Sequence, residues 1–372
     1  MSRAAAPEAP ATYVWEPTTG ALAVRYGLPR KSIVRFDVNT SPVPPDLRDV
    51  LAGSFDPSLS EYPPSDYAAL VDAAAAAYNV KPDEVLPTAG ADEALDLTAR
   101  AFLREGSVAV VAAPTYAMYR IVCEQRGARV VSVPRLGPEA GFRLDIPALA
   151  EAARHADMVW LCEPNNPTGA FEPPERIGEL LAALESQALS DGRDSAPVVV
   201  VDEAYAEFVG RTVLRLRADY PRLVTIRTLS KAHALAGIRV GFVIARPKTL
   251  APILAFRAPA SVGTISAAMA TAALGRPELA KANVARIAAQ RARLMDELAA
   301  IAWRPYPSQA NFILIRFESP ESAAAAADAL LRKGLVPRTF GLDHPLADCL
   351  RLTVRSAEEN DRLIDAARGI PA

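Results

Sequence analysis

Along most of the chain, short apolar β-rich runs alternate with longer stretches whose apolar positions recur at helical spacing. The runs at 84–86, 108–112, 130–133, 158–161, 198–201, 223–227 and 238–245 read as strands. Between them, TAGADEALDLTARAF is a loop feeding a helix, Tyr116, Tyr119 and Val122 fall on another, and Pro173 starts a third that runs to about Leu189. Strand–helix alternation of this kind predicts an α/β fold with a mostly parallel seven-stranded sheet flanked by helices. Ligands of such sheets gather at the carboxyl ends of the strands.

The two ends of the chain depart from that rhythm. The stretch from Leu22 to Pro45 reads as a short helix, a turn, a strand and a crossing segment that Pro42, Pro44 and Pro45 keep irregular. A helix capped by Ser65 or Asp66 then runs to about Tyr78. Residues 276–301 predict one long helix, a candidate interdomain spine. After it come a strand (311–316), a helix (323–333), strands at 336–339 and 349–354, and a helix (357–367), a small α+β unit. The expected division is an arm with part of the small unit over 1–45, a large unit over 46–275, and spine plus small domain over 276–372.

Composition narrows the function classes. The chain has 372 residues, 51% apolar and 23% charged, with a net charge of −2. No basic block invites nucleic acid or a membrane surface. Cys123, Cys162 and Cys349 are odd in number and widely spaced, which gives neither a disulfide framework nor a zinc site. The opening MSRAAAPEAPATY lacks the basic start and apolar stretch of a leader and reads as a disordered or draped arm. A cytoplasmic setting is the expectation, with no metal and no membrane span.

The chemistry concentrates at strand ends. TLSKAHALAGIRVGF leaves a strand through Thr228 and Ser230, presents Lys231, and reaches Arg239 eight residues later. An amine that can form a Schiff base, beside a hydroxyl and a guanidinium that can hold a phosphate, suits pyridoxal phosphate. A surface lysine at a strand–loop junction is the competing reading. VVVVDEAY places Asp202 after four valines, where a buried carboxylate needs a partner such as a pyridinium nitrogen, or else caps the next helix. Tyr205 follows three residues later, within reach of a ring hydroxyl. LCEPNNPTG is a tight turn in which Asn166 can donate to a planar ligand. Gly90 in TAGADEA frees the amides of Ala91 and Asp92 at a helix N-terminus, a phosphate site unless Asp92 is only a cap. Tyr116 in PTYAMY can lie on an aromatic ring or pack in the core.

Taken together, TAGADE, PTYAMY, PNNPTG, DEAYAEF, TLSKAHALAGIRVGF and CLRLTV resemble the fold-type I pyridoxal-phosphate enzymes, and within them the histidinol-phosphate aminotransferase group. The likeness runs from about residue 20 to the end. It implies Lys231 as the Schiff-base and proton-shuttling lysine, Asp202 on the ring nitrogen, and Asn166 and Tyr205 on the ring hydroxyl. It implies Tyr116 stacked on the ring, with Thr228, Ser230, Arg239, Ala91 and Asp92 around the phosphate. Tyr62 in EYPPSDY matches the tyrosine that reaches the neighbouring subunit's cofactor, which implies a homodimer with shared active sites. Arg351 matches the arginine that takes the substrate's anionic group, and Arg338 in VPRTF a second one. The implied reaction is ping-pong transfer of an amino group from a small-molecule donor to a 2-oxo acid.

Three departures bear on the substrate. The family's NENP segment is here Asn39-Thr40-Ser41-Pro42, so Asn39 is kept as a substrate contact while a nearby acid is lost. Trp15 and Glu16 stand about where the group carries an aromatic arm residue. Arg355 replaces a usual glycine and is expected to pair with Glu358 or Glu359, although on a strand it shares a face with Arg351. An arginine there also resembles the threonine-phosphate decarboxylases, the rival reading.

Overall fold

The computed structural model describes residues 12, 13, 16–52 and 60–371. Most of the expected arm, and Trp15, lie outside the described residues. The seven expected strands are present: β1 (Val85–Thr88), β2 (Val108–Ala113), β3 (Arg129–Pro134), β4 (Met158–Cys162), β5 (Val198–Asp202), β6 (Leu223–Thr228) and β7 (Gly241–Ala245). They form one sheet in the order β1-β7-β6-β5-β4-β2-β3. All run parallel except β7, which is antiparallel to both neighbours.

Period-two burial explains the unbroken apolar runs. Val198 and Val200 pack with Trp160, Leu95 and Tyr119 on one face, and Val199 and Val201 with Leu149, Ile177 and Leu180 on the other. A strand covered on both faces has no polar side to show. Each covering cluster contains several fully buried Leu, Val or aromatic side chains, each contributing roughly 1.5–3 kcal/mol.

Topology then sets the site. Strands β1, β2, β4, β5 and β6 all end at one edge of the sheet, and β7, running the other way, begins there. Residues just after Thr88, Ala113, Cys162, Asp202 and Thr228, and just before Gly241, therefore meet. The helix Gly90–Phe102 follows β1 with its N-terminus at that edge.

Beyond the large sheet, the helix Pro277–Ala300 leads to a three-stranded antiparallel sheet of Arg304–Pro305, Phe312–Arg316 and Cys349–Thr353. The helices Pro320–Arg332 and Ala357–Ala367 cover it around Trp303, Phe317, Leu350 and Leu363. Val34–Arg35 pairs in parallel with Leu335–Val336, which joins the start of the chain to this unit.

Several local expectations are corrected. The helix before Tyr78 begins at Ala68 after Tyr67, which is left-handed at φ 51°; of the two expected caps, Asp66 accepts from the Ala68 amide at 3.2 Å. Tyr67 is held there because its hydroxyl donates to the Val262 carbonyl and accepts from the Val262 amide. Tyr116 precedes its helix, which spans Met118–Glu124, because the chain first turns through Pro114. The run at 238–245 is not all strand: Ala236–Ile238 is a 3-10 turn and Arg239 is left-handed at φ 53° before β7 starts. The 336–339 strand stops at Val336, since Pro337 cannot extend the ladder. Ser319 caps the following-domain helix three residues earlier than expected, accepting from the Ser322 amide. The helices Ile146–Ala153, Pro247–Leu254 and Thr264–Leu274 were not anticipated: the first two span only eight residues each, and the third is an alanine-rich run with little periodicity.

Gly241 is where two backbones come close at the sheet edge. A Cβ there would meet the Gly90 carbonyl carbon at 2.7 Å and the Ala91 nitrogen at 2.8 Å, both backbone atoms. Gly241→Ala should lower stability to urea by about 1–3 kcal/mol; an unchanged unfolding midpoint would show that the contact is not tight.

Candidate active site

The strand ends enclose a cavity of about 810 Å³. Its lining includes Ala91, Asp92, Tyr116, Asn166, Asp202, Tyr205, Thr228, Ser230, Lys231, Arg239, Arg338, Arg351 and Asn39. Thirteen of the fourteen site residues expected from sequence are thus brought together. Tyr62 is not among them: it is 89% exposed and away from its own chain's cavity.

Asp202 is the centre. It ends β5 with only 4% of its surface exposed. Tyr119 Oη donates to its Oδ2 at 2.8 Å and the Ala204 amide to its Oδ1 at 3.0 Å. Burial outweighs these two bonds and lifts its pKa from 3.8 to about 6. The carboxylate is fixed in place yet short of positive charge, which suits a cationic ring nitrogen. Tyr119 itself was read only as a helix residue. It stacks on Trp160, with centroids 5.4 Å apart and planes 8° apart, which aims its hydroxyl. Its position three residues after Tyr116 in PTYAMY was the available signal.

Lys231 leaves the end of β6 and comes within 5.8 Å of the Tyr205 ring centroid. Burial first, and then the charge of Arg351, push its amine down from 10.5 to about 8. An appreciable share of the amine is neutral near physiological pH, as a nucleophile or base requires. The surface-lysine reading does not hold.

Around the helix N-terminus the groups suit an anion. Thr228 Oγ1 donates to Ser230 Oγ at 2.9 Å, and the Ser230 amide donates back to Thr228 Oγ1 at 3.2 Å. Arg239 reaches Asp92 Oδ2 at 3.2 Å. The first-turn amides of the helix Gly90–Phe102 have no intrahelical acceptors. Gly90 is at φ 82°, and a Cβ on it would lie 2.5 Å from Arg239 Nη2, so the guanidinium can approach the helix only over glycine. Asp92 is not the helix cap; its carboxylate also accepts from Tyr116 Oη at 3.2 Å.

The opposite wall carries arginines. Arg351 Nη1 donates to Asn166 Oδ1 at 2.6 Å and its Nη2 to the Asp37 carbonyl, while its buried Nε has no partner among the described residues. Burial pushes the Arg351 pKa down to about 10, so the site favours an incoming anion. Asn165 holds the PNNPTG turn through Thr168 and Thr115, leaving Asn166 to face the cavity. Asn39, at φ 53°, donates through its side-chain amide to Tyr205 Oη at 3.1 Å. Arg355 lies outside the lining and pairs with Glu359 at 3.0 Å, one of the two acids expected for it.

A flat aldehyde bearing a phosphate fits this donor set: an amine, a buried acid, an anion cradle and a tyrosine at a shared cavity. Because the folded Lys231 pKa lies near 8, the rate at which the protein condenses with pyridoxal phosphate should rise with pH to about 8 and then level. Stopped-flow absorbance from pH 6.5 to 9.5 checks this, and a rate still climbing towards pH 10 would contradict the depressed amine.

Comparison with known proteins agrees. The family model "Aminotransferase class I and II" matches residues 33–366. The histidinol-phosphate aminotransferase of Xanthomonas euvesicatoria is 39% identical over 319 residues, covering 84% of this chain and 85% of its own. That of Xylella fastidiosa is 39% identical over 323 residues, covering 85% of each. The crystal structure of histidinol-phosphate aminotransferase from Sinorhizobium meliloti in complex with pyridoxal-5'-phosphate superimposes with a TM-score of 0.84 at 26% identity, over 96% of this chain and 95% of that one. The chain belongs to the class I and II aminotransferases, and is a transaminase whose cofactor is pyridoxal 5'-phosphate.

Proposed function

We propose that this enzyme moves an amino group from a donor of the histidinol-phosphate or amino-acid class to 2-oxoglutarate, with Lys231 as the catalytic amine. The observation that carries the residue assignment is the shared cavity: a lowered lysine and a raised aspartate face it together with the helix N-terminus and Arg239.

When bound, pyridoxal phosphate supplies an electron-poor ring that stabilises negative charge on the substrate carbon bearing the amine. The chain's own groups do the rest. Asp202, oriented by Tyr119, would keep the proton on the ring nitrogen. Thr228, Ser230, Arg239 and the amides of Ala91 and Asp92 would hold the phosphate, and Tyr116 would cover the ring. Asn166 and Tyr205 would meet the ring hydroxyl, with Asn39 orienting Tyr205. Lys231 would hold the cofactor through its amine and, with that amine free, would move a proton at the substrate carbon. Arg351 would take the substrate carboxylate or phosphate, and Arg338 a second anionic group.

The same reading includes a homodimer in which Tyr62, exposed on one subunit, enters the neighbour's site. It includes the division of the chain near residues 45 and 275. Three buried, unpaired cysteines support a reducing, cytoplasmic setting. Among the described residues no helix is long and apolar enough to cross a membrane.

Decarboxylation of threonine phosphate is the weaker alternative, since the relatives compared above are aminotransferases and Arg355 is engaged by Glu359. A panel of histidinol phosphate, aromatic amino acids and threonine phosphate, offered with 2-oxoglutarate, separates the two. Glutamate without CO2 is the expected outcome, and CO2 as the product would replace the reading with the lyase one. Lys231→Ala should lose at least about a thousandfold in turnover while keeping its oligomeric state by sedimentation; retained turnover would remove Lys231 from the mechanism.

A further inference from the structure

Two arginines stand side by side on the cavity wall. Arg338 and Arg351 form an isolated antiparallel bridge, each amide donating to the other's carbonyl at 3.0 Å. Both line the cavity, as directly opposed residues share one side of an antiparallel pair. Their counter-ions differ. Arg351 has neutral acceptors, Asn166 and the Asp37 carbonyl, and no carboxylate pairs with it among the described residues. The nearby Asp37 carboxylate is taken by Arg35 through two bonds. Arg338 pairs with Glu16, which stands just before the helix Thr19–Tyr26 and lines the same cavity. Neither member of that pair is fully buried, their side chains being 30% and 33% exposed. An ion pair that water still reaches is worth little and can be exchanged.

At this bridge, two cations and one built-in anion leave Arg351 for one external carboxylate without rearrangement; Arg30 and the paired Arg35 and Asp37 line the same cavity. A second external anion has to displace Glu16. We propose that Glu16 is the internal counter-ion of Arg338, exchanged for the distal anion of a doubly anionic substrate and retained when a singly anionic one binds. A transaminase must accept both kinds in one cavity whenever its donor has an uncharged side chain and its acceptor is a dicarboxylate. Without Glu16, the singly charged substrate would leave the Arg338 charge half-buried and uncompensated. The substrate pair rests on the function proposed above; the counter-ion exchange is a property of the cavity itself.

The test uses the holoenzyme and three ligands with neither an amine nor a keto group: glutarate with two carboxylates, 3-phosphonopropionate with a carboxylate and a phosphonate, and butyrate with one carboxylate. Calorimetric titration gives Kd for each. In Glu16→Gln the preference for the doubly anionic ligands over butyrate should rise at least about threefold. A gain confined to glutarate assigns a distal carboxylate, one confined to the phosphonate a distal phosphate, and a gain for both a site that reads charge alone. In an Arg338→Gln background the same Glu16→Gln change should alter the preference no further. An unchanged preference, or a gain that persists without Arg338, overturns the proposal. Failure of the transaminase substrate assignment would appear as missing glutamate in the donor panel, and would leave these ratios as they are.

Discussion

A carboxylate at the end of a wholly buried strand is the constraint around which this molecule is organised. Lifting Asp202 from 3.8 to about 6 corresponds to a cost on the order of 3 kcal/mol for the charged form. With its folded pKa raised, the stability it contributes is complete below about pH 3.8 and is lost as pH rises through about 6. At neutral pH the fold therefore carries a poorly solvated anion. Tyr119 and the Ala204 amide hold that anion in position without neutralising it. A cation delivered into the cavity is what the arrangement lacks, and the ring nitrogen of the family's cofactor is one.

The remaining groups reach Asp202 because of strand direction. Six parallel strands end at one edge and deliver their following loops there, and the single reversed strand delivers the residues that precede it. Arg239 can serve the helix N-terminus only because β7 runs backwards, and only because Gly90 and Gly241 let the two backbones approach. On the other wall, the bridge between Arg338 and Arg351 sets two guanidinium groups beside each other, with unequal compensation. One edge of one sheet thus supplies the amine, the acid and the helix N-terminus, and the smaller sheet supplies Arg351, with Arg338 bridged to it.

Much of this was legible because strands buried on both faces leave a strong apolar signature, and because Asp202 ends such a strand while Lys231 and Asn166 stand a few residues past two others. The strand around 238 was overextended for a physical reason. Ile238 and Val240 look like ladder residues, but a 3-10 turn ends at Ile238 and a left-handed Arg239 lies between the two, and side-chain polarity does not report backbone handedness. Tyr67 shows the same blindness, its conformation being set by Val262, far along the chain. Tyr119 escaped because its partner, Asp202, is 83 residues away. Glu16 was noted only for its place beside an aromatic arm residue. Its pairing with Arg338 depends on how the N-terminal segment passes the cavity, which no local pattern encodes.

The most direct measurement is the protonation state of the cofactor's ring nitrogen, read by 15N NMR of holoenzyme carrying ring-labelled pyridoxal phosphate at pH 8. The account predicts a protonated nitrogen in the native enzyme and an unprotonated one in Asp202→Ala. An unprotonated nitrogen in the native enzyme, or the same protonated state in both proteins, would contradict the role given to the buried acid.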